Sequence, residues 1–417
     1  MAHVGDLLYA WTTDEAIRER AETGGAVTTL LKHALESGMV DGVFAVRQGA
    51  DVYDAHPAFI TDPAELWKTA GSLHCGTLLL PKQMRNCLLA AQPAMKLAVV
   101  LKGCDVKAIY EMAKRNQVNL DNIVIIGLNC GGTIRPEIAR QVVSEKLGVD
   151  PDTVVNEEID KGKFIIETAD GEHKSISIDD LEEEDLGRRS NCRRCKIKIP
   201  RQADLACGNW GVIGEKAGKA TFIEVCSEKG MNLLNGAVTA GKIETEPAPG
   251  KGIEIRKKVE NSMLKLGDRW RERYFSDLGE ARERLEKIML ETSRCIKCYS
   301  CIENCPICYC KDCSARRDYL VEPGRIPPPF MFHLIRFAHI SDSCVNCGQC
   351  EELCPVDIPN SVFMHALQVD LEEMFGYHPG EDMTLPILAL VEEQTERERL
   401  AATGGDQIFD IFAEKKK

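Results

Sequence analysis

Two cysteine runs near the end of the chain constrain it more than any other feature. Cys295-x2-Cys298-x2-Cys301-x3-Cys305-Pro306 is followed by Cys344-x2-Cys347-x2-Cys350-x3-Cys354-Pro355. Three thiolates at i, i+3 and i+6 can wrap one face of a cubane, while the proline-terminated fourth cysteine crosses to the other cluster. The spacing therefore predicts one [4Fe–4S] cluster on Cys295, Cys298, Cys301 and Cys354, and a second on Cys344, Cys347, Cys350 and Cys305. Structural zinc is the alternative, but four ligands per ion have no use for an interleaved repeat ending in proline. A chain with such runs is an electron carrier.

Composition agrees with metal ligation. The 417 residues hold 19 cysteines, and the opening Met1-Ala2-His3-Val4 has no signal-peptide character, so the thiols read as metal ligands and not as disulfides. A mass of 46.3 kDa allows two or three domains, each with a core of its own. No apolar run reaches the roughly 20 residues of a membrane span, and a soluble, cytoplasmic chain is expected. Net charge of -13, from 52 basic and 65 acidic residues, argues against a nucleic-acid partner, which needs a clustered basic face. The terminal Glu414-Lys415-Lys416-Lys417 reads as a solvated end.

Before the cysteine runs the pattern is α/β. Thr23-Gly24-Gly25 precedes Val27, Leu30, Leu31, Ala34 and Leu35 at helical spacing, with Gly38 as a stop and Val43 to Val46 as a strand. Leu97 to Leu101 and Ile123 to Ile126 are fully apolar strands that end at Gly103-Cys104 and Asn129-Cys130. Such strands suggest a parallel sheet, whose ligands collect beyond the carboxyl ends of the strands. Phe164 to Ile166 and Ile176 to Ile178 around Asp170-Gly171 predict a hairpin appended to that sheet, and the acidic run Asp179 to Asp185 a solvated loop or edge. Thr221 to Val225 is a further buried strand. Pro247, Pro249 and nearby glycines suggest a linker, followed by an amphipathic helix over 277–290. The expected division is an α/β part over 1–95, a central α/β part over 96–245, a linker and helix over 246–290, a two-cluster ferredoxin-like module over 291–365, and a helical tail over 366–417.

A second cysteine group lies in the α/β part: Cys192-x2-Cys195 together with the strand-end Cys104 and Cys130. A lone CxxC is ambiguous between redox dithiol, zinc and cluster. Two more cysteines at one crevice favour a third [4Fe–4S] cluster, with Cys207 the main competitor for the fourth place and Cys75 a weaker one. Cys87 and Cys226 read as small buried apolar residues. Cys308, Cys310 and Cys313 match no ligand run; they either bind a further metal, shield the neighbouring cluster or remain reduced thiols. Gly208-x2-Gly211-x2-Gly214 is not a dinucleotide fingerprint, and His33 and His74 read as packed or solvated.

Several stretches together resemble the beta subunits of the coenzyme F420-reducing hydrogenase and formate dehydrogenase family of methanogens. They are Thr23 to Leu31, Val40-Asp41-Gly42-Val43, Ala70-Gly71-Ser72, Lys102-Gly103-Cys104, Gly127-Leu128-Asn129-Cys130, Cys192-Arg193-Arg194-Cys195 and Ala203-Asp204-Leu205 with Gly208. Asn304-Cys305-Pro306-Ile307-Cys308-Tyr309-Cys310 is similar to the formate dehydrogenase branch. The resemblance implies FAD in an α/β flavin-binding domain, a cluster beside it, and hydride exchange with coenzyme F420. It also implies FAD contacts at Thr23, Gly24, Gly25, Gly71, Ser72, Asn129 and Gly131, with Cys104, Cys130, Cys192 and Cys195 on the flavin-side cluster. Amides at Gly24-Gly25 would serve the diphosphate at a helix N-terminus; otherwise those glycines merely start a helix. No side chain is singled out as catalytic, because flavin itself couples one- and two-electron transfer. An alpha subunit with a molybdenum or tungsten pterin is the implied partner, and a heterodisulfide reductase complex a further one. Gly103 before Cys104, Lys196-Ile197-Lys198 after the CxxC, and Cys207 depart from the family pattern. Two other functions fit the residues, a non-catalytic iron–sulfur adaptor and a coenzyme F420-reducing hydrogenase subunit.

Overall fold

A computed structural model describes residues 1–386 apart from 77, 91–93, 311, 382 and 385. Its strands are β1 (Leu7–Thr12), β2 (Gly42–Gln48), β3 (Ala55–Ile60), β4 (Leu97–Lys102), β5 (Ile123–Leu128), β6 (Val154–Asp160), β7 (Lys163–Thr168), β8 (His173–Ser177), β9 (Leu205–Gly208), β10 (Thr221–Val225) and β11 (Ile243–Pro247). Eight of them form one sheet in the order β11-β1-β10-β9-β5-β4-β2-β3. The middle of that sheet, β9-β5-β4-β2, is parallel, as the fully apolar strands predict. Both flanks are antiparallel.

Alternation sorts the strand residues between two layers. Ala98, Val124 and Ile126 face the helices Ala26–Glu36 and Glu228–Thr239. Leu97, Val99, Leu101, Ile123 and Ile125 face Leu80–Ala90 and Gly103–Lys114 on the other side. Each such aliphatic side chain contributes about 1.5–3 kcal/mol on burial. With both faces covered, the carboxyl ends of β2, β4, β5 and β9 share one open edge of the sheet.

Three expectations change. The hairpin around Asp170-Gly171 forms, but as β7 and β8 of a separate antiparallel sheet, β6-β7-β8. Phe164, Ile166, Ile178 and Leu181 pack with Val142 and Val143 and with Val52 and Tyr53 of the β2–β3 connection, so the small sheet is held face-on by this cluster and not by strand pairing to the large sheet. The acidic run is not wholly solvated: it starts as the helix Ile178–Glu183, and Glu182 is buried in an ion pair with Arg188. The proline-rich segment opens the 27-residue helix Gly250–Ser276 and not an extended linker.

The expected amphipathic helix follows as Ala281–Thr292. Beyond it, Phe332, Ile335, Phe337, Ile340, Ile358, Val362 and Phe363 form a small core between Met331–Ile340 and Asn360–Phe375. Gly376, at φ +65°, ends the latter helix in the left-handed conformation. The expected helical tail stops there: the described residues from 376 to 386 are turns and coil, with Tyr377 and Gly380 bonded to Glu111, and the rest, including Glu414 to Lys417, lies outside the described residues. Among the described residues, no helix is long and apolar enough to cross a membrane.

Candidate metal centres and coenzyme crevice

The two cysteine runs share one backbone. Lys297 and Tyr299 have φ of 55° and 63°, and their counterparts Asn346 and Gly348 have 51° and 76°. This repeated left-handed twist turns amides toward sulfur: Lys297 N–H reaches Cys295 Sγ at 3.3 Å, and Asn346 N–H bonds Cys344 in the same way. Ile358 N–H adds a bond of 3.4 Å to Cys354 Sγ. Donors of this kind favour thiolate over thiol.

The sulfurs of the two runs lie in two groups. Cys295, Cys298, Cys301 and Cys354 line one cavity, so the crossing cysteine joins the first run. Cys305 acts electrostatically on Cys344, Cys347 and Cys350. Burial pushes the thiols of Cys344 and Cys347 up to about 12, and that of Cys350 well above its ordinary value. Thiols this dry need a strongly positive partner, as irons provide, to ionise. Among the described residues, no three His, Cys, Asp or Glu side chains are placed to hold a single metal ion. Of the three unassigned cysteines, Cys308 hydrogen-bonds Cys305, which lowers the Cys305 thiol and raises its own. Lys82 Nζ clasps the carbonyls of both, at 3.1 and 2.5 Å.

Two buried arginines test whether anionic groups fit here. Arg336 is 4% exposed, donates to the Cys301 carbonyl at 2.9 Å, and leaves Nε without a partner. Arg194 is fully buried beside Cys192 and Cys344, with Nη2 on Ser361 Oγ at 3.0 Å and Nη1 without a partner. A buried cation short of partners is costly, and a cluster held by four thiolates supplies the missing negative charge. The quartets therefore fit cubane clusters.

In the α/β part, Cys104 opens the helix after β4, Cys130 follows β5, and Cys192 and Cys195 flank the end of the short helix Ser190–Arg193. Burial raises Cys104 well above its ordinary value, with Cys130 and Cys195 adding to the effect. Cys130 is pushed up to about 11 by burial and then by Cys192 and Cys195. Cys130 N–H bonds Lys198 O at 2.9 Å and Ile197 N–H points at Cys195 Sγ at 3.3 Å. Gly267 lets the long helix press against this loop, since a Cβ there would lie 2.7 Å from Cys195 O. Cys207 is elsewhere, packed in the sheet core and neighbouring Cys226, Glu224 and Arg256. Cys75 is buried near Glu157 and Tyr53.

The same short helix docks on the second cysteine run. Asn191 Nδ2 donates to Asn346 O and Asn346 Nδ2 returns a bond to Asn191 O, each at 3.2 Å. Ser190 bonds Glu351, and Arg189 bonds Glu352 at 2.8 Å and Cys347 O at 3.4 Å.

Of the residues expected to touch flavin, Asn129 and Gly131 follow β5, Thr23 to Gly25 precede the helix Ala26–Glu36, and Gly71 and Ser72 follow a short turn ending at Thr69. Thr23 Oγ1 is 3.2 Å from Thr221 Oγ1, and a Cβ at Gly24 would strike Ala10 O at 2.6 Å, so close packing alone accounts for Gly24. Gly25 precedes the helix Ala26–Glu36 with no side-chain cap. The Asn129 carboxamide lies directly over Gly208. Gly131 is half-buried with Met263 Cε 3.9 Å from where a Cβ would stand, Ser72 is exposed, and Gly71 sits against the carbonyl of Arg20. Ile134 N–H to His74 O at 3.0 Å and Asn209 to Glu22 at 3.4 Å tie these loops together. His74 is held by Glu157: burial pulls the imidazole down, but the carboxylate outweighs it and pushes it up to about 9.

One feature of this edge has no signal in the sequence. Arg20, Arg47, Lys68, His56 and Trp67 line a pocket of about 340 Å³ at the carboxyl end of β2. The Arg20 guanidinium lies 5.1 Å over the Trp67 ring. Arg336 had a weak signal, as a lone charge inside the apolar stretch Phe332 to Ile340.

Comparison with known proteins follows this division. Residues 7–85 and 94–251 match the families described as coenzyme F420 hydrogenase/dehydrogenase, beta subunit N-term and C terminus, and residues 338–360 match a 4Fe-4S binding domain. The F420-dependent formate dehydrogenase subunit beta of Methanocaldococcus jannaschii is 49% identical over 91% of this chain and 98% of its own length. Subunit beta of F420-dependent formate dehydrogenase 1 of Methanococcus maripaludis is 49% identical over 91% and 97%. The coenzyme F420 hydrogenase subunit beta of Methanococcus voltae is 27% identical over 66% and 94%. A chain of the F420-reducing [NiFe] hydrogenase complex from Methanosarcina barkeri shares the fold, with a TM-score of 0.55 and 19% identity over 65% of this chain and 93% of that one. The chain belongs to the beta-subunit family of the coenzyme F420 hydrogenases and dehydrogenases.

Proposed function

We propose that this chain is the electron-transferring beta subunit of a formate dehydrogenase, carrying electrons from a formate-oxidising alpha subunit through iron–sulfur clusters to a flavin that reduces coenzyme F420. One observation carries the order of transfer: the helix bearing Cys192 docks, through Asn191 and Asn346, on the second cysteine run and not the first. Electrons then arrive at Cys295, Cys298, Cys301 and Cys354, pass to Cys344, Cys347, Cys350 and Cys305, and reach a third cluster on Cys104, Cys130, Cys192 and Cys195. Exposed Cys298, Ile296 and Leu290 put the first run at the surface, where a partner subunit can approach.

FAD, when bound, takes electrons singly and gives them up as a pair in a hydride. Gly71, Ser72, Asn129, Gly131 and Thr23 to Gly25 are the residues proposed to hold it, with the uncapped amides after Gly25 available to its diphosphate. Cations of the Arg20, Arg47 and Lys68 pocket suit the anionic portion of a coenzyme bound at the same edge. Residues 1–245 are then the coenzyme part and 291–365 the two-cluster module, in a cytoplasmic enzyme whose alpha subunit holds a molybdenum or tungsten pterin. A heterodisulfide reductase complex would draw electrons from the same clusters.

The test uses the purified full chain loaded anaerobically with iron, sulfide and FAD. It should bind about twelve irons, four for each of three clusters, retain flavin, and oxidise reduced coenzyme F420 with a dye as acceptor. Iron–sulfur absorption without flavin would overturn this function and leave the adaptor in its place.

A further inference from the structure

Arg336 lies on the helix Met331–Ile340, which packs in one core with residues of both cysteine runs. Its guanidinium bonds the carbonyl of Cys301 from the first quartet. Thiols of both quartets act on it: Cys301 from the first, Cys350 and Cys305 from the second, with Cys308 beside them. No carboxylate among the described residues forms an ion pair with it, and Nε stays without a partner. Arg194 differs, because Glu351 is among its electrostatic neighbours. A cation this dry and this poorly paired is stable only if its counter-charge is one that the polypeptide alone does not supply.

We propose that Arg336 is the shared counter-charge of the two ferredoxin-type clusters and sets the reduction potentials of both. This inference rests on the cluster assignment given above. Each cluster gains one negative charge when it takes up one electron, with no bond made or broken. A fixed positive charge facing both quartets favours the reduced form of each, so removing it disfavours reduction at both sites together. Arg336 is a positioning charge and not a catalytic group, since it touches the ligand backbone and not a substrate.

The experiment is a potentiometric titration of the full chain, loaded with iron and sulfide and followed by electron paramagnetic resonance. Iron content and visible absorption of the unaltered protein come first, so failure of the cluster assignment is seen before any potential is read. Arg336→Met should make reduction of both clusters at least tenfold less favourable, a fall of about 59 mV for a one-electron couple. Arg336→Lys, which keeps the charge, should stay near the unaltered values. Unchanged potentials in Arg336→Met, or a shift of one cluster only, would overturn the proposal. If Arg336→Met fails to hold iron while Arg336→Lys holds it, the charge is needed for the clusters to exist, which supports it; loss of iron from both variants makes the residue a packing element and overturns it.

Discussion

The first and second cysteine runs have the same spacing and the same backbone twist, yet one position separates their roles. Where the first run has Tyr299, the second has Gly348, both with positive φ. Tyr299 is covered by protein of its own module, edge-on to Phe332 at 5.4 Å and under the Arg316 guanidinium at 4.8 Å. At Gly348 a Cβ would lie 2.3 Å from the Asn191 side chain, because the α/β part is seated there. A duplicated motif has thus been divided into an outward half and an inward half by what each leaves room for.

Single ligand changes break the comparison most severely. Cys295→Ser and Cys344→Ser should each cost about four of twelve irons and abolish formate-driven reduction of coenzyme F420 in the assembled enzyme. Only Cys295→Ser should keep dye-coupled oxidation of reduced coenzyme F420, because the inner clusters remain connected to the flavin; equal losses in that assay would refute the proposed order.

Exchanging the distinguishing residues comes next. Gly348→Tyr should destabilise the protein by roughly 3 kcal/mol or more, combining strain at positive φ with the clash on Asn191. Tyr299→Gly should cost only about 1 kcal/mol, the worth of its aromatic contact offset by relief at φ 63°. Thermal unfolding of the two variants side by side reads the difference, and similar losses would mean that the two faces are not distinct.

Asn191→Ala and Asn346→Ala should each cost about 1–2 kcal/mol, because each leaves a backbone carbonyl of the other residue without its donor, and the double variant should cost about their sum, since both carbonyls remain. Thermal unfolding with no loss in either single variant would show that the α/β part is not seated on the second run through these bonds. The smallest effect is kinetic: an iron chelator should bleach the cluster beside exposed Cys298 before the other two, and simultaneous loss would contradict the outward and inward assignment.

Much of this was legible in the sequence because cluster ligation needs fixed thiol spacing, and parallel strands buried on both faces need unbroken apolar runs. The apolar runs of β4 and β5 became parallel strands, and Cys295 to Cys305 and Cys344 to Cys354 repeat one backbone twist. Tertiary choices were not legible. Nothing local says that Asp179 to Glu183 will coil around a buried Glu182–Arg188 pair, or that Pro249 opens a long helix instead of a loop. Cys207 competes with Cys104 on paper; only the sheet register, which pairs it with Ile223 and packs it in the core, separates them. Arg20 and Arg47 come from different segments and meet only through the fold.

The helix Gly250–Ser276 carries one more consequence. At 1.5 Å per residue it is about 40 Å long. Close to its start Gly252 abuts the Tyr9 hydroxyl, further on Gly267 rests on the Cys195 carbonyl, and near its end Phe275 meets His365 of the cluster module. One unbroken rod thus gauges the span from sheet to module, so the separation of the proposed clusters would be fixed by covalent length. Insertion of a single residue between Gly252 and Gly267 would rotate every later contact by about 100°, so this subunit can vary its loops freely but not the length of its spine.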